Sequence, residues 1–304
     1  MSAPQVALAP ESAPDWLRAA IVRGGGELVP PDRAEALVWF GPYQPAELAD
    51  VLEAAPGARW VQLPWAGVEP YVDVLTADRT WTCGKGVYAE PVAEHALALG
   101  LAGLRMVPDR VRATAWAPQG GISLFDGALT VLGGGGITEV LLRLVEPLRC
   151  EVTVVRKRPR PMAGAARVVG PEDLAGVLPG ASVVVLALAL TPQTRGIIGA
   201  GQLAAMETDA WLVNVARGAH IVTDDLVHAL REGSIGGAAL DVTDPEPLPE
   251  GHPLWDLPNC IITPHTANTL DMARPHVAGR ISENVRRFGA GEPLVGLVDL
   301  DLGY

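Results

Sequence analysis

The chain has 304 residues, 49% of them hydrophobic, which is enough to bury two separate cores. Its net charge of -12 argues against nucleic acid or an anionic membrane surface as a partner. The longest apolar stretches, ALALGLAGL and SVVVLALAL, are too short to span a bilayer, and MSAPQVALAP lacks the basic start of a signal peptide. Three scattered cysteines indicate reduced structural thiols and no metal site. We therefore expect a cytoplasmic protein.

The N-terminal part of the chain alternates apolar runs with amphipathic segments. QVALA, ALVWFG and RWVQLP predict strands, and PDWLRAAIVRGG and PAELADVLEAAPG predict helices. This alternation is typical of an α/β domain. The segment AEPVAEHALALGLAGLRMVPDRVRATAW then predicts one long helix that begins near Pro91 and leaves this domain.

Six further apolar runs between residues 100 and 268 predict a second sheet. They are ALTVLG, CEVTVV, SVVVLAL, AWLVNV, IGGAALDV and CIITPH, separated by helices or turns. This pattern favours a doubly wound parallel sheet. The last predicted helix, LDMARPHVAGRISENVRRFGAG, contains Pro275, which indicates a break or kink near its start.

A glycine-rich turn joins the first of these strands to a helix. Gly133 and Gly135 occupy the first two positions of G-x-G-x-x-G, while Thr138 replaces the third glycine and should loosen the packing of helix on strand slightly. With Gly136 and Ile137, the two glycines are candidates for holding the pyrophosphate of a dinucleotide at the helix N-terminus. A plain turn is the alternative interpretation.

The next strand should end with an acid that binds the adenosine ribose, but the sequence there is RKRPRP. Arg156, Lys157 and Arg158 stand in its place, and Arg156 follows Gly133 by 23 residues. A cation cluster at this point suits a ribose 2′-phosphate, so NADP is the preferred cofactor and NAD remains possible. A solvated basic turn is the alternative.

Three polar residues follow later apolar runs: Arg217 in NVARG, Glu246 in DVTDPEPLP and His265 in ITPHTAN. Their spacings of 29 and 19 residues are too long for one helix face, so only a fold can assemble them. The guanidinium could hold a 2-oxo acid and polarise its carbonyl. His265 could donate a proton as hydride arrives, with Glu246 bound to its other ring nitrogen. Taken singly, each residue also suits an ordinary structural role.

The sequence resembles the D-isomer-specific 2-hydroxyacid dehydrogenases, among them glyoxylate/hydroxypyruvate reductases, in six segments that occur in the family's order. The segments are VQLPWAGVE, GVYAEPVAEHALALGLAGLR, VLGGGGIT, LALTPQTRGIIG, WLVNVARGAHIVTDDLVHAL and ALDVTDPEPLPEGHPLWDLPNCIITPH. The resemblance implies two Rossmann-like α/β domains with doubly wound parallel sheets and an active site in the cleft between them. Residues 1–99 plus 270–304 would form a discontinuous substrate-binding domain, and residues 100–269 the dinucleotide-binding domain.

The resemblance also implies roles for particular residues. It makes Arg217, Glu246 and His265 the catalytic group. The further cofactor-binding positions that it implies are Thr191, Val215, Ala216 and Asp241, the last as the acid that binds the nicotinamide carboxamide. The substrate carboxylate would bind Arg217 and the main-chain amides of Ala66, Gly67 and Val68.

The expected activity is NAD(P)H-dependent reduction of a small 2-oxo acid to a D-2-hydroxy acid, with the proton from His265. Glyoxylate and hydroxypyruvate are family-level candidates and phenylpyruvate-like acids remain open. Trp65 and Tyr88 could limit the substrate side chain, although large apolar residues are more often part of the core. The resemblance also implies a homodimer. The alternative is a nucleotide-sensing binding protein, because the family includes transcriptional corepressors on this fold. Turnover with any small oxo acid would decide between the two.

Overall fold

The computed structural model describes residues 3–41, 44–116 and 118–300. The described chain divides into two compact units, one from the residues up to Tyr88 with those from Thr269 onward, the other Ala89–Asn268. The sequence places these boundaries at residues 99 and 270. Among the residues described, no helix has the length and apolar character needed to cross a membrane.

The first unit contains a parallel sheet flanked by helices. Its elements, in chain order, are β1 (Gln5–Ala9), α1 (Asp15–Arg23), β2 (Glu27–Leu28), β3 (Ala36–Trp39), α2 (Pro45–Ala54), β4 (Trp60–Gln62) and β5 (Thr80–Thr82). The strand order is β2-β1-β3-β4-β5, and every pair runs parallel. This order reverses direction between β1 and β3, as in flavodoxin-like folds.

The second unit contains a larger parallel sheet. Its elements are α3 (Ala89–Leu104), α4 (Val107–Arg112), β6 (Ala128–Leu132), α5 (Gly136–Val145), β7 (Glu151–Val155), β8 (Arg167–Val169), α6 (Leu174–Val177), β9 (Val183–Leu186), α7 (Ala200–Ala205), β10 (Trp211–Asn214), α8 (Thr223–Glu232), β11 (Gly237–Leu240) and β12 (Cys260–Ile262). The strand order is β12-β11-β10-β9-β6-β7-β8. The prediction of two doubly wound parallel sheets is confirmed.

Burial explains why the apolar runs form the centre of this sheet. Every residue of β9, β10 and β11 is buried, as expected for strands that helices cover on both faces. The structure adds an edge strand, β8, that the sequence did not predict. It is three residues long, and Arg167 is exposed, so it lacks the continuous apolar run that marks the central strands. The short strands β2 and β5 of the first unit were missed for the same reason.

The prediction of one long helix over residues 89–116 is wrong. Helix α3 ends at Leu104, Met106 adopts a left-handed conformation with φ of 54°, and α4 begins at Val107. Pro108 explains the break, because a proline inside a helix clashes with the carbonyl four residues earlier and cannot donate to it. That carbonyl belongs to Leu104, which instead accepts a bond of 2.9 Å from the Ile122 N–H.

The last helix, α9 (Leu270–Ala290), packs against α1 in the first unit. The Ser282 hydroxyl donates to the Ala20 carbonyl at 2.7 Å, and the Asn284 amide donates to the Gln62 side chain at 2.9 Å. Of the break or kink predicted at Pro275, the break does not occur, since the helix continues through this residue. Pro275 and Asp271, whose carbonyl loses its helical partner, are both exposed, so water can satisfy that carbonyl.

Helix α3 packs closely on β10 because it presents a glycine there. A side chain at Gly103 would overlap the Trp211 indole. We predict that Gly103→Ala lowers the free energy of unfolding by about 1–3 kcal/mol through overpacking. Gly279→Ala is the matched control, because its site on α9 has no neighbouring atom within 4 Å among the described residues. It should instead stabilise by about 0.5–1 kcal/mol. Urea unfolding of both variants measures the difference, and equal effects would contradict the prediction.

Candidate active site

Six of the residues selected from the sequence lie beyond the carboxyl ends of strands in the larger sheet. The positions are Gly133 after β6, Arg156 after β7, Thr191 after β9, Arg217 after β10, Asp241 after β11 and His265 after β12. In a parallel sheet these strand ends share one edge, and ligands bind there where the strand order reverses. That reversal lies between β6 and β9, beside the glycine turn.

The two glycines of the turn serve different purposes. Gly133 has a φ of 113°, and a side chain there would overlap the Ala187 carbonyl at the end of β9. Its N–H donates to the Val155 carbonyl at 2.8 Å, so this glycine is required by the packing of strands. Gly135 precedes α5, and no described atom lies within 4 Å of the point where its side chain would begin. It leaves open space at the helix N-terminus.

Thr138 occupies the place of the third glycine without a steric conflict. Its side chain is completely buried, and its hydroxyl donates to the Gly133 carbonyl at 2.8 Å. This bond fastens the first turn of α5 to the glycine turn. The sequence pattern shows the departure from glycine but not the hydrogen bond that accompanies it.

Arg156 lies against the glycine turn, as a ligand for an anion would. Its Cδ and Nε are each 2.8 Å from the point where a side chain at Gly134 would begin, and its Nη1 is buried with no hydrogen-bond partner among the described residues. Burying an unsatisfied guanidinium nitrogen is costly, and an anion such as a ribose phosphate would satisfy it. Lys157 and Arg158 are exposed beside it. These residues fit a phosphorylated dinucleotide.

The segment after β9 folds into a turn that carries Thr191. Its N–H donates to the Thr194 hydroxyl at 2.8 Å, and that hydroxyl donates to the Ala189 carbonyl at 2.8 Å. His220 is completely buried, with Nδ1 at 3.0 Å from the Thr194 carbonyl and Nε2 at 3.2 Å from the Leu188 carbonyl. The turn is thereby joined to the segment that follows Arg217, a link that the sequence did not reveal.

Asn214 shapes the turn that presents Arg217. It is completely buried at the end of β10, where its amide nitrogen donates to the Arg217 carbonyl at 2.9 Å and its oxygen accepts from the Ala216 N–H at 3.0 Å. Val215 and Ala216 are buried, while Arg217 is half-buried and donates to the Ala216 carbonyl at 2.7 Å. Asn214 was not predicted as a functional residue, although a polar residue that closes an apolar strand is a usable signal.

The segments carrying Arg217 and Glu246 lie in direct contact. A side chain at Gly218 would overlap the main chain of Thr243, so only glycine permits this approach. The Thr223 hydroxyl donates to the Asp244 carbonyl at 2.8 Å and anchors the second segment to the start of α8. The guanidinium and the carboxylate are therefore presented by two segments that support each other.

Glu246 and His265 form the pair predicted from the sequence. His265 Nδ1 lies 2.6 Å from Glu246 Oε1, and the two side chains are 51% and 41% exposed. With Nδ1 directed at the carboxylate, Nε2 is the ring nitrogen left to exchange a proton with a ligand. His265 has a left-handed φ of 50°, which its N–H supports by donating to the Asp241 carbonyl at 2.8 Å.

Asp241 lies beneath the segment that carries His265. It is 2% exposed, and its Oδ1 accepts from the Thr263 hydroxyl at 2.6 Å and from the Thr266 N–H at 2.9 Å. Its Oδ2 accepts from the Ala267 N–H at 3.0 Å. A buried carboxylate requires such donors, and here the chain around His265 provides them. Asp241 therefore holds the segment that carries His265.

The first unit places residues 66–68 beyond the carboxyl end of β4. Ala66 is exposed and Val68 is fully buried, with Gly67 between them half-buried. The segment is fixed by the Cys83 thiol, which donates to the Ala66 carbonyl at 3.7 Å, and by neighbouring main-chain bonds. Burial raises the pKa of Cys83, so this thiol stays protonated. The three cysteines are free, in keeping with structural roles.

An aromatic cluster surrounds the same part of the first unit. The rings of Trp65 and Tyr88 are 6.3 Å apart, and those of Phe40 and Trp65 are 5.5 Å apart. The Tyr88 hydroxyl donates to the Pro64 carbonyl at 2.6 Å, which fixes its ring next to the turn. Large side chains therefore stand beside residues 66–68.

Nucleotide-dependent oxidoreductases combine a glycine turn at the switch point of a doubly wound sheet with a proton donor on the same edge. The chain belongs to one family of them, the D-isomer specific 2-hydroxyacid dehydrogenases, whose NAD binding domain matches residues 96–267. The family prediction is confirmed.

The chain is also similar over nearly its full length to individual proteins. A protein from Corynebacterium melassecola, described as an uncharacterized protein in a proB 3′ region, is 38% identical over 94% of this chain and 95% of its own. Glyoxylate/hydroxypyruvate reductase A from Photorhabdus laumondii is 31% identical over 88% of this chain and 87% of its own. A D-isomer specific 2-hydroxyacid dehydrogenase from Xanthobacter autotrophicus Py2, solved in complex with NADPH and MES, superposes with a TM-score of 0.86 at 28% identity over 100% of both chains.

The two glycines of the turn allow packing to be separated from nucleotide binding. We predict that Gly133→Ala destabilises the protein by more than about 1 kcal/mol, since alanine is strained at this φ and overlaps β9. Gly135→Ala should leave the unfolding midpoint unchanged but raise the Kd for a dinucleotide about tenfold or more, equivalent to about 1.4 kcal/mol. Urea unfolding and fluorescence titration measure the two effects. A Gly135→Ala protein with unaltered nucleotide affinity would contradict this assignment.

Proposed function

We propose that the protein reduces a small 2-oxo acid to a D-2-hydroxy acid with NADPH. The observation that carries the proposal is the Glu246–His265 pair, which shares a sheet edge with Arg217 and the glycine turn. The reductase name of the Photorhabdus relative and the NADPH bound in the Xanthobacter structure support it. NAD remains a possible second cofactor.

The cofactor would bind along the carboxyl edge of the larger sheet, where it would supply the hydride. The pyrophosphate positions are Gly133, Gly135, Gly136 and Ile137. The ribose-phosphate positions are Arg156, Lys157 and Arg158. The positions near the nicotinamide are Thr191, Val215, Ala216 and Asp241. The unsatisfied Nη1 of Arg156 supports the preference for NADPH over NADH.

The substrate carboxylate is assigned to Arg217 and the main-chain amides of Ala66, Gly67 and Val68. A guanidinium stays charged and offers parallel N–H donors, so Arg217 can also polarise the carbonyl that is to be reduced. His265 gives its Nε2 proton to the carbonyl oxygen as hydride reaches the carbon. Glu246, bound to Nδ1, fixes the ring orientation for that transfer.

Substrate choice and assembly extend the proposal. The aromatic cluster next to residues 66–68 favours small acids, with glyoxylate and hydroxypyruvate first and phenylpyruvate as a test of side-chain size. We also propose a homodimer formed through the second unit. Its support is the exposure of four large apolar side chains on α4 and in the segment that follows it: Val107, Val111, Trp116 and Phe125. The cytoplasmic location stays a prediction.

The direct test is oxidation of NADPH and of NADH by the purified protein with glyoxylate, hydroxypyruvate, pyruvate and phenylpyruvate. We expect turnover with NADPH and a small acid. Nucleotide binding without turnover on any acid would overturn the proposal and favour the nucleotide-sensing alternative.

Cofactor choice should depend on Arg156. Arg156→Asp should lower the ratio of kcat/KM for NADPH to that for NADH by about 10- to 100-fold, since a charge-assisted bond to phosphate is replaced by repulsion. Arg143→Asp makes the same charge change on the exposed surface of α5 and should leave the ratio unaltered. An unchanged ratio in the Arg156 variant would identify the basic turn as ordinary surface.

Proton donation should depend on His265 and its partner. His265→Asn suits the left-handed backbone but has no titratable ring, and should lower kcat by about 10²- to 10⁴-fold. Its Kd for NADPH should stay within about twofold, because the lost contact acts on the reacting carbonyl. Glu246→Gln should lower kcat less. His228→Leu, which alters an exposed histidine on α8, is the control, and a fully active His265 variant would rule out the assigned mechanism.

A further inference from the structure

His95 on α3 contacts the hydrogen-bond network that Asp241 forms beneath His265 with Thr263, Thr266 and Ala267. Its side chain is 23% exposed, and Nε2 lies 3.1 Å from the Thr263 hydroxyl and 3.4 Å from Asp241 Oδ1. Neither the sequence pattern nor the proposed reaction assigns it a part. Among the described residues, the polar contacts of its side chain are with Thr263 and Asp241.

The chemistry of its partners fixes which way the hydrogen bonds run. Asp241 Oδ1 can only accept when ionised, so the Thr263 hydroxyl, 2.6 Å away, donates to it. The hydroxyl oxygen is then left to accept, and its donor is His95 Nε2–H at 3.1 Å. His95 therefore donates from Nε2 whether its ring is neutral or charged.

The same carboxylate determines where His265 stands. Asp241 Oδ1 and Oδ2 accept the N–H groups of Thr266 and Ala267, which directly follow His265. His265 itself is held at a left-handed φ of 50° and donates its N–H to the Asp241 carbonyl at 2.8 Å. That conformation is unfavourable for a residue with a side chain, so it persists only while these bonds hold it.

We infer that His95 is a positioning residue for proton transfer: by donating to the Thr263 hydroxyl, which in turn donates to Asp241, it keeps the segment of residues 263–267 in the conformation that directs His265 Nδ1 at Glu246. This inference rests on the proposed function, since it names a residue that the reductase reaction needs. His95 acts through the network and does not touch the reacting atoms. Misplacement of a reacting group by a fraction of an ångström to 1 Å reduces rates strongly.

The test compares His95→Leu, which has no donor, with His95→Gln, whose amide can donate from nearly the same position. His95→Leu should lower kcat by about 10- to 100-fold while the KM for NADPH stays within about twofold. His95→Gln should recover kcat to within about threefold of wild type. Crystal structures of both should show the Nδ1 to Oε1 distance, 2.6 Å here, lengthened beyond hydrogen bonding in the leucine variant and preserved in the glutamine variant.

Two further variants keep the test decisive. Thr263→Val keeps the shape of the side chain but removes the hydroxyl that joins His95 to Asp241. It should lower kcat as much as His95→Leu does, and it replaces that variant in the test if His95→Leu does not fold. His228→Leu removes an exposed histidine and should keep wild-type kinetics. Unaltered kcat and geometry in His95→Leu or Thr263→Val, or a glutamine variant as impaired as the leucine variant, would overturn the inference. If the wild type reduces no oxo acid, the proposed function fails, and the crystal structures alone decide the role of His95.

Discussion

A parallel sheet requires every connection between neighbouring strands to cross over a face, and this requirement organises the rest of the molecule. The crossing helices bury the central strands on both sides, so β9, β10 and β11 are built from apolar residues throughout. Every strand must then leave the sheet at the same edge. Polar residues that follow these strands consequently gather there, although nearly 50 residues of sequence separate Arg217 from His265.

A buried polar group without a partner is costly, and three side chains buried beneath that edge, Asn214, His220 and Asp241, have main-chain partners in the candidate functional segments. The Asn214 side chain bonds to the Arg217 carbonyl and to the Ala216 N–H. The His220 ring nitrogens face two carbonyls of the segment around Thr191. Asp241 does the same for the segment around His265. Satisfying the buried group and fixing the candidate functional segment are thus one structural event, which occurs for the segments that follow β9, β10 and β12.

The residues predicted from sequence are those whose signal is local. Gly133, Arg156, Arg217 and His265 each follow an apolar run, so periodicity and turn chemistry were enough to select them, and the family order supplied their roles. His95, Asn214 and His220 were missed because their meaning lies in their partners, 168 residues away along the chain for His95 and Thr263. The break before Pro108 was missed because a proline is compatible with both the first turn of a new helix and a kink in an old one.

The glycine turn, the basic turn, Arg217, Glu246 and His265 all belong to Ala89–Asn268, one continuous segment, while residues 66–68 belong to the unit into which that segment is inserted. On the proposed function, one continuous stretch of the gene encodes Arg217 and the groups for cofactor binding and proton transfer, and the stretch before it encodes the main-chain amides that share the substrate carboxylate with Arg217. Mutation in the stretch around residues 66–68 would then change the surroundings proposed for the acid while the continuous stretch is inherited unchanged. Under this proposal, a change of substrate range would need few coordinated changes in the rest of the chain.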